Sequence, residues 1–163
     1  MMRKIFPHPY LTLTLVLVWL ALMNSISLGG AVFGLIMGIT IPLMTAAYWP
    51  DRPRINSLPK VVAYFFLVLW DIVVANFTVA RIVLFMPKAK LQPAWVTIPL
   101  DLRTPEAITL LAGTITMTPG TVSADLSADG RAILVHCLHA PDSAGVVTEI
   151  KSRYEARLKE IFE

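Results

Sequence analysis

The sequence predicts a membrane α-helical N-terminal region followed by a small α+β domain. Three observations carry that expectation. Apolar runs fill most of residues 1–86, and each is long enough to cross about 30 Å of hydrocarbon at about 1.5 Å per residue. After Pro87 the hydrophobic period drops to a strict alternation of two. Charge changes at the same place: residues 1–86 hold six Lys/Arg against two Asp/Glu, and residues 87–163 hold eight against nine. The basic excess therefore lies with the apolar half, where it reads as topology and contact with membrane lipid. A nucleic-acid surface would cluster Lys/Arg on one face of the soluble part. That part is near neutral, so no nucleic-acid partner is expected. A lone cysteine, Cys137, excludes an intrachain disulfide framework.

The first two apolar runs cover residues 10–28 and 31–49, with only Gly29 and Gly30 between them. A helical hairpin with almost no outside loop follows. Pro42 is tolerable in such a helix if neighbours satisfy the freed carbonyl. Trp19, Tyr48 and Trp49 are suited to anchor at the interface. Arg3 and Lys4 precede the first run as in a signal peptide, but the run is too long for one and flows into a second. The segment PDRPRINSLPK, residues 50–60, ends the hairpin with three prolines. The third run, residues 61–86, is long for one span, so it tilts or carries an interfacial end. The predicted division is thus a transmembrane region over 1–86 and a small domain over 87–163.

In the second part, WVTIPLDL puts Val96, Ile98, Leu100 and Leu102 on one face, and Pro99 marks an edge strand. TPEAITLLAGTI is a helix from a Thr104 N-cap, with Pro105 at its first position and Glu106 in its first turn. TVSADL places Val122, Ala124 and Leu126 on one face of a strand. Asp129 and Gly130 supply a hairpin turn, and RAILVHCL returns as a strand. AGVVTEIKSRYEARLKEIF is an amphipathic helix with Val147, Ile150, Tyr154, Leu158 and Ile161 on one stripe. Glu149–Arg153 and Glu155–Lys159 are spaced as i,i+4 ion pairs. The order is β-α-β-β-α. About 75 residues make a marginal domain by themselves, so docking onto something would help it.

Positive charge does not settle the sidedness. Three full spans would put the N-terminus and the tail on opposite faces. Arg3, Lys4, Arg52, Arg54 and Lys60 favour an inside N-terminus, whereas Lys88, Lys90 and Arg103 favour an inside tail. Either the hairpin does not make two complete crossings, or partner subunits override the signal.

Four sets of residues are candidates for chemistry. Asp71 lies near the middle of the third run, where a lone carboxylate is costly and functional by default. It could carry a proton, or it could bond a neighbouring helix and lock assembly. Asn76 and Arg81 share its run, five and ten residues on, and Arg81 could snorkel to an interface. His136, Cys137, His139 and Asp142 offer metal-ligand types, but on a strand His136 and His139 point to opposite faces. Cys137 has no evident base to activate it. Thr118, Pro119, Gly120 and Thr121 form either an anion-binding nest or, more simply, a turn into a strand. No phosphate loop, zinc helix or Ser/His/Asp signature is present. No enzyme activity, cofactor or bound metal is expected.

An N-terminal membrane region followed by TPGTVSADLSADGRAILVHCL resembles the E subunit of the Mrp-type (Mnh/Pha) multi-subunit monovalent cation/proton antiporters. The residues that carry the likeness are Thr118, Pro119, Gly120 and Thr121, the hairpin Asp129 and Gly130, and the strand end Val135 and His136. The resemblance implies a complex in the bacterial inner membrane that exchanges sodium or potassium for protons. It implies an accessory subunit needed for assembly and activity, hydrophobic antiporter subunits as partners, and a cytoplasmic tail. It transfers no catalytic residue to Asp71 or His136. The alternatives are a self-sufficient small transporter using Asp71, and a membrane-tethered metal enzyme or sensor using His136 and His139.

Overall fold

The computed structural model describes residues 9–24, 27–45 and 55–163. The chain divides into two compact units, Met1–Arg52 and Pro53–Glu163. The boundary expected at residue 86 is thereby displaced: the third apolar helix groups with the α+β part. Hydropathy assigned that helix to the hairpin, but its packing partners lie downstream.

In the first unit, α1 (Pro9–Met23) and α2 (Leu28–Thr45) form the hairpin. The turn falls earlier than Gly29–Gly30. Asn24 takes a positive φ of 47°, which Asn tolerates better than most residues. Ser27 then caps α2, its Oγ accepting from the Gly30 amide at 3.0 Å. Gly29 and Gly30 are therefore inside the first turn of α2. The two helices meet along Gly34, Gly38 and Pro42, all buried. A Cβ at Gly38 would stand 3.0 Å from the Thr12 carbonyl, and one at Gly34 would stand 2.9 Å from the Trp19 ring. Small residues let the backbones approach this closely. Trp19 also packs on Phe33 with ring centroids 4.9 Å apart. The expected anchors Tyr48 and Trp49, and the cations Arg3, Lys4, Arg52 and Arg54, lie outside the described residues.

The second unit begins with α3 (Leu58–Phe85). Tyr64, Val68 and Asp71 are buried on one side of it, and partly buried Val61, Ile72, Ala75, Val79 and Ile82 extend that stripe along the helix. A 3-10 turn at Lys88–Lys90 leads into β1 (Ala94–Pro99), α4 (Pro105–Met117), β2 (Thr121–Leu126) and β3 (Ala132–Cys137). The chain ends in α5 (Ser143–Ile150), a π turn (Lys151–Glu155) and α6 (Ala156–Phe162). The sheet is antiparallel in the order β1-β3-β2. Pro99 is on an edge strand as expected, because β3 takes the centre.

One core joins the parts. Val96 and Ile98 of β1, Ile133, Val135 and Cys137 of β3, and Ala107, Leu111 and Ile115 of α4 are buried together. Ile150, Tyr154, Leu158 and Ile161 close it from the C-terminal helix, and Tyr64 and Val68 enter from α3. Burying α3 against this module answers the weakness of a domain of about 75 residues, because a larger buried fraction stabilises a small fold.

Four local expectations are corrected. In β2 Val122 and Leu126 are exposed, at 41% and 44%: Val122 pairs with His136 on the outer face, and a bulge between Ser123 and Asp125 then brings Leu126 opposite Ile133 at the open end of the strand. The inward residues are Thr121 and Ser123, whose hydroxyls bond Ile115 O at 2.7 Å and Ala112 O at 2.9 Å on α4. Thr104 occupies the N-cap position of α4 but makes no side-chain cap bond. Instead the Glu163 carboxylate accepts from the Arg103 and Thr104 amides at 2.6 and 3.1 Å. In the hairpin loop only Gly130 has a positive φ, of 68°; Asp129 serves as an acceptor for Ser127 Oγ at 2.7 Å and the Arg131 amide at 3.1 Å. The expected Glu149–Arg153 and Glu155–Lys159 pairs give way to other partners. Arg153 turns to Asp71, and Glu155 to Lys151 and the β1–α4 loop.

Candidate functional site

Asp71 is the one acid within the α3 helix, and it faces the C-terminal helix. Arg153 Nε donates to Asp71 Oδ2 at 2.7 Å, and Arg153 Nη2 donates to Oδ1. The Tyr154 hydroxyl donates to Oδ2 at 2.9 Å. The Asp71 side chain is 10% exposed and that of Arg153 is 36% exposed. This is a two-pronged guanidinium–carboxylate contact, the geometry in which Arg is strongest.

The π turn is what aims these groups. A wide turn adds a residue to the helical repeat, so consecutive residues Arg153, Tyr154 and Glu155 all find partners. Glu155, 3% exposed, accepts from the Asp101 amide at 2.6 Å, the Leu102 amide at 3.3 Å and Lys151 Nζ at 2.7 Å. Lys151 also pairs with Asp101 at 2.9 Å. Burial pushes the Lys151 ammonium down, but the Glu155 and Asp101 carboxylates outweigh it and its pKa is raised. Arg153 is held above its ordinary range chiefly by its bond to Asp71. Tyr154 is pushed up to about 12, first by burial and then by donating to the Asp71 carboxylate.

Two further bonds tie α3 down. Tyr64 and Thr114 share a hydroxyl–hydroxyl bond of 2.8 Å in the core. Lys60 pairs with Glu160 at 2.8 Å, beside the Asn56 amide donating to Ile161 O at 2.8 Å. The Thr118–Thr121 turn presses on α3 from the other end. Gly120 has φ of 94°, and a Cβ there would stand 2.9 Å from Val79 Cγ2. Glycine meets both demands, the backbone and the close approach. Thr118 Oγ1 bonds Thr114 O at 2.9 Å, and the Thr121 amide bonds Thr118 O at 3.2 Å. The turn's hydroxyls and amides serve the end of α4 and the start of β2, which accounts for the motif as a joint. An open cleft of about 410 Å³ lies between this turn, α3 and the C-terminal helix, lined by Trp70, Asp71, Thr118, Pro119, Glu149 and Arg153 among others.

The other candidates are not drawn to Asp71. Asn76 donates back to Ile72 O at 2.8 Å, and Arg81 is exposed on α3. His136 packs edge-on against Trp95 with centroids 4.8 Å apart, whereas His139 Nδ1 accepts from the Gln92 amide at 3.1 Å. Asp142 caps α5 by accepting from the Gly145 amide at 3.0 Å. Cys137 is buried, and burial raises its thiol pKa, which disfavours the reactive thiolate. Among the described residues no three His, Cys, Asp or Glu side chains converge as a metal site would require.

Chemically, the Asp71 cluster is suited to holding rather than carrying. Both carboxylate oxygens are occupied, and the guanidinium cannot give up its charge near neutral pH. A proton or metal cation at Asp71 would have to compete with a fixed positive charge already held in a two-pronged contact. Arg153, Tyr154 and Glu155 were not found by reading the sequence for sites. A partner 82 residues away along the chain leaves no local spacing to detect. The available signal was weaker: an acid in an apolar helix demands a donor, and the tail carries cations.

Comparison with known proteins agrees over almost the whole chain. The profile of the family described as "Na+/H+ ion antiporter subunit" matches residues 12–161. A relative from Rhizobium meliloti (strain 1021), named as the E subunit of a probable K(+)/H(+) antiporter, is 32% identical over 162 residues, covering 99% of this chain and 100% of its own. The E subunit of the Na(+)/H(+) antiporter of Alkalihalophilus pseudofirmus is 30% identical and covers 93% of this chain and 95% of its own. Among solved structures, a chain of an archaeal respiratory membrane complex, the membrane-bound sulfane sulfur reductase, superposes with a TM-score of 0.74. It is 29% identical, over 94% of this chain and 97% of that one.

Proposed function

The chain belongs to the Na+/H+ ion antiporter subunit family, and we propose that it is an accessory subunit of a multi-subunit monovalent cation/proton antiporter. It sits in the cell membrane among other membrane subunits, with the α+β module on the cytoplasmic face. Its contribution is architectural: it presents a hairpin and a folded module to its neighbours and leaves ion chemistry to them. The observation that carries this reading is the occupancy of Asp71 by Arg153 and Tyr154 of the same chain. A carrier needs its carboxylate available in turn to a proton and to an ion; this one is committed to a structural contact.

The test is co-purification. With an affinity tag after Glu163, native membranes solubilised in mild detergent should yield several hydrophobic subunits in fixed ratio. Recovery of the chain alone, or with copies of itself, would contradict the accessory role and return Asp71 to consideration as a carrier.

A further inference from the structure

The α3 helix is long and apolar enough to cross a membrane, yet it is docked along its length onto a polar module. Its contacts run from Lys60, paired with Glu160, through Tyr64 and Asp71 to Val79 under the Gly120 turn. From Lys60 to Val79 the helix measures about 28 Å, close to the full hydrocarbon thickness of about 30 Å. If α3 crossed the bilayer, its rider would cross with it. Arg153 and Glu149 would then lie near the midplane beside Asp71. The outer edges of β1 and β2, which pair with no strand among the described residues, would face lipid. Charges there are costly, and open sheet edges are not found in hydrocarbon.

The opposite pole of α3 is apolar from end to end. Val62, Phe66, Trp70, Val73, Phe77 and Leu84 are each between 47% and 74% exposed. This pole is a convex ridge of bulky side chains. The hairpin, by contrast, packs helix on helix through Gly34 and Gly38, as membrane helices that meet closely do. The α3 pole offers no such stripe, which favours acyl chains over a partner helix. Cations frame it: Arg81 on its flank, and Lys88 and Lys90 just past its end, all exposed. An apolar ridge edged by Lys and Arg is the pattern of a helix lying in the interface of an anionic membrane.

Sidedness supports the same placement. A hairpin brings the chain back to its starting face whether it crosses fully or only dips, so an incomplete hairpin leaves the charge conflict in place. If α3 does not cross, Arg3, Lys4, Arg52, Arg54, Lys60, Lys88, Lys90 and Arg103 all stand on one face. The positive-inside rule is then obeyed without exception, where three crossings split these residues five against three.

We propose that α3 is an in-plane helix: its Val62–Leu84 pole rests in the acyl–headgroup boundary of the anionic inner face, and the α+β module rides on it at the surface. This extends the chain's role from an accessory among neighbouring subunits to seating a surface module on lipid.

The test uses the assembled complex in vesicles of phosphatidylethanolamine and phosphatidylglycerol. Cys137 is 2% exposed and can stay, with the unsubstituted chain as the labelling control. Spin labels on Phe66→Cys, Val73→Cys and Phe77→Cys should be reached by oxygen and share one shallow depth, about 5–10 Å below the headgroup boundary. A depth that peaks at Val73 would overturn the proposal in favour of a crossing. Shielding from both oxygen and a soluble nickel chelate would overturn it in favour of a protein-covered pole. Independently, Asn56→Cys and Ala89→Cys should react with an impermeant maleimide from the same face of the membrane. Reaction from opposite faces would overturn the proposal even if the pole variants failed to assemble.

Discussion

The hairpin and α3 are built from equally oily sequence, yet they pack in different ways. Between α1 and α2 the seam is made by what is missing: Gly34 and Gly38 leave room for Trp19, Val16 and the Thr12 backbone. Their other side chains, such as Leu17, Phe33 and Met44, face outward. Packing between such helices in lipid is carried by close contact and not by a hydrophobic drive. On α3 the seam is made by what is added: Asp71, Tyr64 and a chain of polar bonds to a folded module. Hydropathy averages over a window and cannot tell these cases apart. Position within the helical turn can.

The largest expected effect comes from unpairing the ion contact. Asp71→Leu leaves Arg153 without its acid and should destabilise the second unit by about 2 kcal/mol. That is less than the roughly 3–5 kcal/mol of fully buried pairs, because Arg153 is partly exposed to water. Adding Arg153→Met should recover most of the loss, since a matched apolar pair carries no stranded charge. Urea titration of the detergent-solubilised chain, run as a double-mutant cycle, measures both.

On the hairpin side, Gly38→Val should weaken the α1–α2 seam by about 1–3 kcal/mol through overpacking and leave the Asp71 cycle unchanged. Cross-linking between the two helices reads the seam; a shift in the α3 coupling would show that the two regions are not separable as described. Gly120→Ala should cost about 1–2 kcal/mol, the penalty of a left-handed backbone for a residue with a Cβ. Val79→Ala in the same chain should relieve only the contact part.

The last effect is a slope with pH. Tyr154 titrates at about 12 in the folded chain and near 10 when unfolded. Its raised value favours the folded state fully below about pH 10, and that stabilisation disappears as pH rises from there through 12. Tyr154→Phe should flatten the loss of thermal stability over that window. An unchanged slope would mean another group governs alkaline unfolding.

Most of the fold was legible in the sequence. The order β-α-β-β-α, the Pro99 edge, the Gly130 turn and the stripe of Ile150, Tyr154, Leu158 and Ile161 follow from period and turn chemistry, which are local. Capping was legible only in part, because Glu163 replaces the Thr104 hydroxyl from the far end of the chain. The face of β2 was misread because its inward positions are polar: Thr121 and Ser123 turn their hydroxyls to α4 carbonyls, and the bulge after Ser123 then breaks the alternation. Asp71 was recognised as needing a partner, but Arg153 could not be named: the π turn that aims it leaves no mark in an otherwise regular amphipathic helix. The family likeness rested on the Thr118–Thr121 turn with Asp129, Gly130, Val135 and His136; the turn packs on Val79 and serves the end of α4.

Asp71, on this reading, holds the molecule together and does not carry ions. The most direct check is cation/proton exchange by vesicles containing the complex with the paired change Asp71→Leu and Arg153→Met. The complex should assemble and exchange at the unsubstituted rate. Full assembly with exchange abolished would refute the holding role and place Asp71 on the path of the ion.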